Sequence, residues 1–295
     1  MANVYAPRRA SRLSRTVRAL SAALLLSTAA AQAEDIDLYA MNASAADIPN
    51  VLFVIDNSGN WNASLPSATR CNVYADGTAL DSADSGSKVG IELCALFKVV
   101  TNLANSAGAT AKARIGVMMF NSETGSLGAY PRIALTGVTT STVGGLQTRI
   151  KGISSKSGYD TSNRGYWGLA MHEAYLYFKG LQPLNGAVST KHDPAAFTAG
   201  GAYNSPASAS CSRNYIIFIG NGSPNTSGVD DERTLLATVT NNLAQIGSSA
   251  AGNPEYKNWS DEYARALRNV DLSSKDGAQN IKTFSIAVTG ASSDP

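Results

Sequence analysis

The stretch that most constrains the fold is Pro49-Asn-Val-Leu-Phe-Val-Ile-Asp-Asn-Ser-Gly-Asn-Trp61. In it five consecutive apolar residues, Val51 to Ile55, break onto a carboxylate, a serine and a glycine. An unbroken apolar run bounded by turn residues suits a central parallel strand covered on both faces, whereas a half-exposed strand would alternate. In open parallel sheets, ligands sit beyond the carboxyl ends of the strands. Asp56, Ser58 and Asn60 fall at that position and are the first candidate site residues.

A second fully apolar run, Tyr215 to Ile219, also ends in a polar turn, Gly220-Asn-Gly-Ser-Pro-Asn225, so two central strands open into candidate site loops. Further strands are expected at Arg114–Phe120, at Ile133–Leu135 as an edge hairpin, and at Ile281–Val288. Apolar residues at helical spacing predict helices carrying Val89 to Leu103, Leu146 to Ile153, Tyr166 to Tyr177 with Gly180 as its C-cap, Leu235 to Ile246, and Trp259 to Val270. The order predicts an α/β fold: a doubly wound, mostly parallel central sheet with helices on both faces and an antiparallel edge hairpin. The loop from Asn57 to Ser87 exceeds ordinary connection lengths and is read as functional or mobile. Leu181 to Arg213 is read as a surface excursion tied down by Cys211.

The first 33 residues hold five arginines, no acid, an Ala/Leu-rich run and Ala31-Gln-Ala33. This is the pattern of a cleaved secretory signal peptide, which leaves residues 34–295 as one exported domain. The apolar run is too short to span a bilayer, and no later one reaches transmembrane length. With the leader removed, 19 basic residues remain against 22 acidic ones. The chain carries no cluster of Lys and Arg interleaved with aromatics, so nucleic-acid binding is not expected. Export permits disulfides. Cys71 and Cys94 flank a polar insertion and are the simplest pair, with Cys211 the rival partner for either.

Asp56-x-Ser58-x-Asn60 resembles the D-x-S-x-S metal-ion-dependent adhesion site of von Willebrand factor A domains, with Asn60 in place of the second serine. The phrase Pro49 to Gly59 is similar to the start of that domain in the PilY1/PilC family of type IV pilus tip proteins. So are three later stretches: Trp167 to Gly180, Tyr203 to Pro206 followed by Cys211 and Asn214 to Gly222, and Ile281 to Val288. Together they span most of the exported chain. Asn221 stands where the family often has an aspartate. Thr161 is the nearest candidate for the family's threonine, although alignment of the Glu173 helix puts Arg164 or Gly165 at that place.

The resemblance implies a non-enzymatic role in pilus biogenesis and surface adhesion at the pilus tip or outer surface. Its partners would be minor pilins and a host or abiotic surface. It also implies a Mg²⁺ or Ca²⁺ site built from Asp56, Ser58, Asn60, Thr161 and Asn221. Such ions take hard oxygen ligands and bind more tightly as carboxylates accumulate, and Asp56 is the only carboxylate in this set. The preferred reading is therefore that Asp56 and Ser58 hold their turn by side-chain to backbone hydrogen bonds and cap the Val89 helix region.

Two other functions are open: a scaffold that docks the pilus while other domains bind, and a periplasmic accessory to an ATPase or metal-insertion system, which would want a carboxylate-complete site. Catalysis is not expected. The chain has two histidines, His172 and His192, and lacks the G-x-S-x-G, H-E-x-x-H and C-x-x-C motifs. Tyr166, Trp167, Tyr175, Tyr177 and Phe178 are read as packing residues, and Trp61 and Tyr74 as exposed partner-binding aromatics beside the site loop.

Overall fold

The computed structural model describes residues 48–121, 127–162, 165–207, 212–222, 224, 229–240 and 259–289. All of these belong to one compact unit, Ser44–Pro295. The leader, the whole segment before Ile48, Arg164, Cys211, and Leu243 and Ile246 of the fourth predicted helix lie outside the described residues.

Five strands form one sheet: β1 (Asn50–Ile55), β2 (Arg114–Phe120), β3 (Ala129–Gly137), β4 (Asn214–Gly220) and β5 (Ile281–Ala287), in the order β3-β2-β1-β4-β5. β1 lies at the centre and is parallel to both β2 and β4, and β5 is parallel to β4. Only β3 runs antiparallel, paired to β2 at the edge where the hairpin is expected. The sheet is thus mixed and mostly parallel.

The helices are α1 (Lys88–Ala107), α2 (Val143–Lys151), α3 (Trp167–Lys179), α4 (Val229–Val239) and α5 (Ser260–Asn269). Strand residues alternate between two cores. Leu52, Val54, Met118, Phe120, Ile216 and Phe218 meet α3, α4 and α5 on one face. Phe53, Ile55, Val117 and Met119 meet α1 and α2 on the other. This double coverage explains why the central strands read as continuous apolar runs. Coverage on the second face thins toward β5, where Phe284 and Ile286 are 56% and 51% exposed. A groove of about 740 Å³ runs between that face and α1.

The helices begin and end for local reasons. Ser87 caps α1 by accepting from the Gly90 amide at 3.3 Å, and α1 stops at Gly108, whose φ of 63° a residue with a Cβ rarely adopts. Gly180, in the left-handed region at φ 73°, ends α3. Among the described residues no helix is long and apolar enough to cross a membrane.

The long loop after β1 is pinned along its length. Cys71 is bonded to Cys94 on α1, with the two Cα atoms 6.5 Å apart. Asp84 accepts the Ser155 amide at 2.8 Å and the Ser155 hydroxyl at 2.6 Å. The loop lies so close to α1 that a side chain at Gly90 would start 2.4 Å from the Asp84 carbonyl oxygen. Replacing both cysteines with serine is expected to lower stability by about 3 kcal/mol, from the chain entropy of a closed loop with a separation of 23 residues. The measurement is the urea midpoint of the variant against the oxidised wild type.

The second excursion, from Leu181 onward, is held by a buried carboxylate, and the Cys211 expected to tie it down lies outside the described residues. Glu173 on α3 accepts from Tyr203 Oη at 2.6 Å, from the Asn185 amide at 3.0 Å and from the Leu184 amide at 3.1 Å. Asp193, with Arg149 as its ion-pair partner, accepts from the Ala134 amide at 2.9 Å.

Candidate functional site

Because Ile55 pairs in parallel with Ile219, the chain leaves β1 and β4 at the same end of the sheet. The Asp56 amide continues the ladder to Ile219 O at 2.9 Å. Asp56 is 1% exposed and is the hub on which the two loops converge. Its Oδ1 accepts from the Ser58 amide at 3.1 Å and from the Ser58 hydroxyl. Its Oδ2 accepts from Trp167 Nε1 at 2.9 Å and from the Asn221 amide at 3.4 Å. Burial raises the Asp56 pKa above the ordinary carboxylate value, and those hydrogen bonds from Ser58, Trp167 and Asn221 act against it.

The two loops are stitched in both directions, since Asn221 Nδ2 donates to Ser58 O at 2.7 Å. Asn60 faces the β4 loop as well, its Oδ1 3.7 Å from where a side chain on Gly222 would begin. The structure therefore gathers Asp56, Ser58, Asn60 and Asn221. Thr161 is committed elsewhere, donating to Ser155 O at 2.9 Å. Its neighbour Ser162 is the residue that bridges to Ser58, with its amide donating to Asn57 O at 2.9 Å. Asn57 ties this third loop to β2, accepting from the Phe120 amide at 2.8 Å and donating to Phe120 O at 3.1 Å.

Beneath the loops lies a charged cluster. Lys88, the first residue of α1, is 0% exposed, and its Nζ reaches the Asn221 carbonyl oxygen at 3.4 Å. One turn on, Glu92 accepts from Trp61 Nε1 at 2.8 Å. Burial pushes the Glu92 carboxyl up to about 8; the Trp61 hydrogen bond opposes this, the Asp56 charge adds to it, and the Lys88 charge opposes it. Among the described residues, two buried oxygens here, Glu92 Oε1 and Asn221 Oδ1, have no hydrogen-bond partner.

Two expectations are corrected. Trp61 is 0% exposed and Tyr74 6%, so neither offers its ring to a partner. Trp61 turns inward because its indole N–H has the Glu92 carboxyl to satisfy it. Tyr74 packs on Phe97 with ring centroids 5.0 Å apart, and Lys151 Nζ lies 5.6 Å from the Tyr74 ring. The turn expected of Asp56 and Ser58 is present, but they do not cap α1. Ser87 does, and the Ala63 and Trp61 carbonyls accept from the Lys88 and Val89 amides at 3.0 and 3.1 Å.

The gathered residues do not fit a divalent ion. Mg²⁺ and Ca²⁺ need six or more oxygens. Both Asp56 oxygens already accept from protein donors and the Ser58 hydroxyl donates to Asp56, while Asn221 Oδ1 is a single neutral orphan. A buried ammonium one residue contact away adds repulsion. Among the described residues no group of three or more His, Cys, Asp or Glu could hold a metal.

Comparison of the chain with protein-family models gives no match, and comparison with curated proteins gives none.

Proposed function

We propose that this chain is an exported, non-enzymatic domain of the von Willebrand factor A type from a PilY1/PilC-like protein, acting in type IV pilus biogenesis and surface attachment with a degenerate adhesion site. The observation that carries the reading is the meeting of Asp56-x-Ser58-x-Asn60 with the Gly220–Gly222 loop where parallel β1 and β4 end side by side. That is where the resemblance in the sequence requires the two elements to meet. A mixed, mostly parallel sheet with β1 at its centre and helices on both faces agrees with it.

A scaffold role, in which this domain docks the pilus and others bind the surface, is favoured by the closure of the site. Asp56, Trp61 and Asn221 are 1%, 0% and 2% exposed, so a ligand carboxylate approaching from solvent does not reach them. The accessory reading wanted a carboxylate-complete site and gains no support from this donor set.

Deleting the gene in the cell that encodes the protein is the direct test. Loss of surface pili together with loss of attachment supports the proposal, and loss of attachment with normal piliation favours adhesion over scaffolding. Unchanged piliation and attachment would end it.

A further inference from the structure

Lys88 is placed where two effects oppose it. It is wholly buried, and it sits in the first turn of a 20-residue helix, whose amide ends already carry partial positive charge. A lysine persists in such a place only if acceptors and counter-charge surround it. Here they do. The Asn221 carbonyl accepts from Nζ at 3.4 Å, the Asn221 amide in turn donates to the Asp56 carboxylate at 3.4 Å, and the Glu92 carboxyl stands one turn along α1 from Lys88. An ammonium offers three donors, and among the described residues unpartnered buried oxygens lie on Asn221, whose carbonyl Lys88 reaches, and on Glu92, one turn along α1.

We propose that the Lys88 ammonium is the resident cation of the Asp56 loop cluster. It does from inside the protein what a divalent ion would do from solvent, fixing the ends of β1 and β4 against each other. The cluster is then independent of metal. Its charge is covalently attached to α1, so the loops keep one shape whatever the ion content of the medium. The proposal concerns the same site as the adhesion reading, but its test needs neither pili nor a surface, so the two succeed or fail separately.

The experiment is thermal unfolding of the purified protein in EDTA and in millimolar Mg²⁺, Ca²⁺ or Mn²⁺. It is paired with a double-mutant cycle of Lys88→Met and Asp56→Asn. Wild type is expected to melt at one temperature in all four solutions. An ion bound well below its concentration would instead raise the midpoint by roughly 5–10 °C. Lys88→Met is expected to melt well below wild type, and adding Asp56→Asn is expected to recover part of the loss, because the second change removes the charge the first left unpaired.

A midpoint raised by any of the ions in wild type and not in Asp56→Asn would overturn the proposal. So would strictly additive losses, or a Lys88→Met protein as stable as wild type. Should Lys88→Met fail to fold, the wild-type ion series decides alone.

Discussion

Replacing Asp56 with alanine is expected to lower the unfolding free energy by about 3–5 kcal/mol, the range for removing one member of a buried charged cluster. The cost has three sources. Trp167 Nε1 and the Asn221 amide lose their acceptor where water cannot readily replace it, each at about 1–3 kcal/mol. The Ser58 amide and hydroxyl lose the oxygen that closes their turn. The buried Lys88 loses the negative charge it is linked to through Asn221. For a unit of this size the loss corresponds to a midpoint lower by roughly 6–20 °C. Ser58→Ala removes only the hydroxyl, and a loss of about 1 kcal/mol is expected for it. Calorimetry on both variants checks the ratio. Equal, small losses would mean that Asp56 is not the hub. The stability lost in Asp56→Ala is not expected to return when divalent ions are added, since the defect is in the loops.

The central sheet is legible in the sequence because cover on both faces leaves a plain mark, nearly complete on β1 and partial on β4, where Tyr215, Ile217 and Ile219 are half-buried. Val51–Ile55 and Tyr215–Ile219 carry almost no polar residues, and each ends in turn chemistry, so their adjacency and shared exit can be inferred from residue order. The edge position of β3 follows from the short glycine-containing connection before it. The helix stops at Gly108 and Gly180 are visible because a left-handed residue is a local requirement.

The site is half legible. Asp56, Ser58, Asn60 and Asn221 lie on two loops that the strands bring together, and strand order predicts that much. Which groups they bond to does not follow from strand order. Trp167 opens a helix whose aromatic residues are mostly core, so nothing in its spacing distinguishes the one indole that reaches Asp56. Trp61 misleads because a loop rich in Asn, Ser and Gly suggests exposure. Its burial depends on Glu92, 31 residues away, whose carboxyl accepts the indole N–H. The Lys88 and Glu92 pair does leave a signal, opposite charges four apart at a helix start. That spacing is common on solvated faces, and only the loop folded over α1 buries both residues. Glu173 is similarly silent. Its donors, Leu184, Asn185, Gly186 and Tyr203, come from a segment without periodicity.

Stability is expected to be greatest on the acid side of neutrality and to fall from about pH 5 to pH 9. Burial raises three glutamates, Glu92 to about 8 and Glu173 and Glu232 to about 7, from an ordinary value near 4.5. A folded pKa above the unfolded one means that the native state holds its protons longer. The contribution is therefore complete below about pH 4.5, declines as the unfolded chain ionises, and is gone once the pH has risen through the folded values. His172 acts in the opposite sense. Burial lowers it from 6.5 to about 4, so its contribution is present above about pH 6.5 and is lost as the pH falls toward 4. Three glutamates outweigh one histidine between those limits, which sets the sign of the slope. A tenfold difference in proton affinity between the folded and unfolded chain is worth about 1.4 kcal/mol, so Glu92 alone supplies at most roughly 5 kcal/mol of the decline by pH 9. Glu92→Gln keeps the shape of the neutral acid and an oxygen for Trp61 Nε1, but cannot ionise. Whatever its offset at pH 5, its unfolding midpoint is expected to change less than that of wild type between pH 5 and pH 9. The difference should be several degrees. Parallel curves for the two proteins would show that Glu92 gives up its proton as readily when folded as when unfolded.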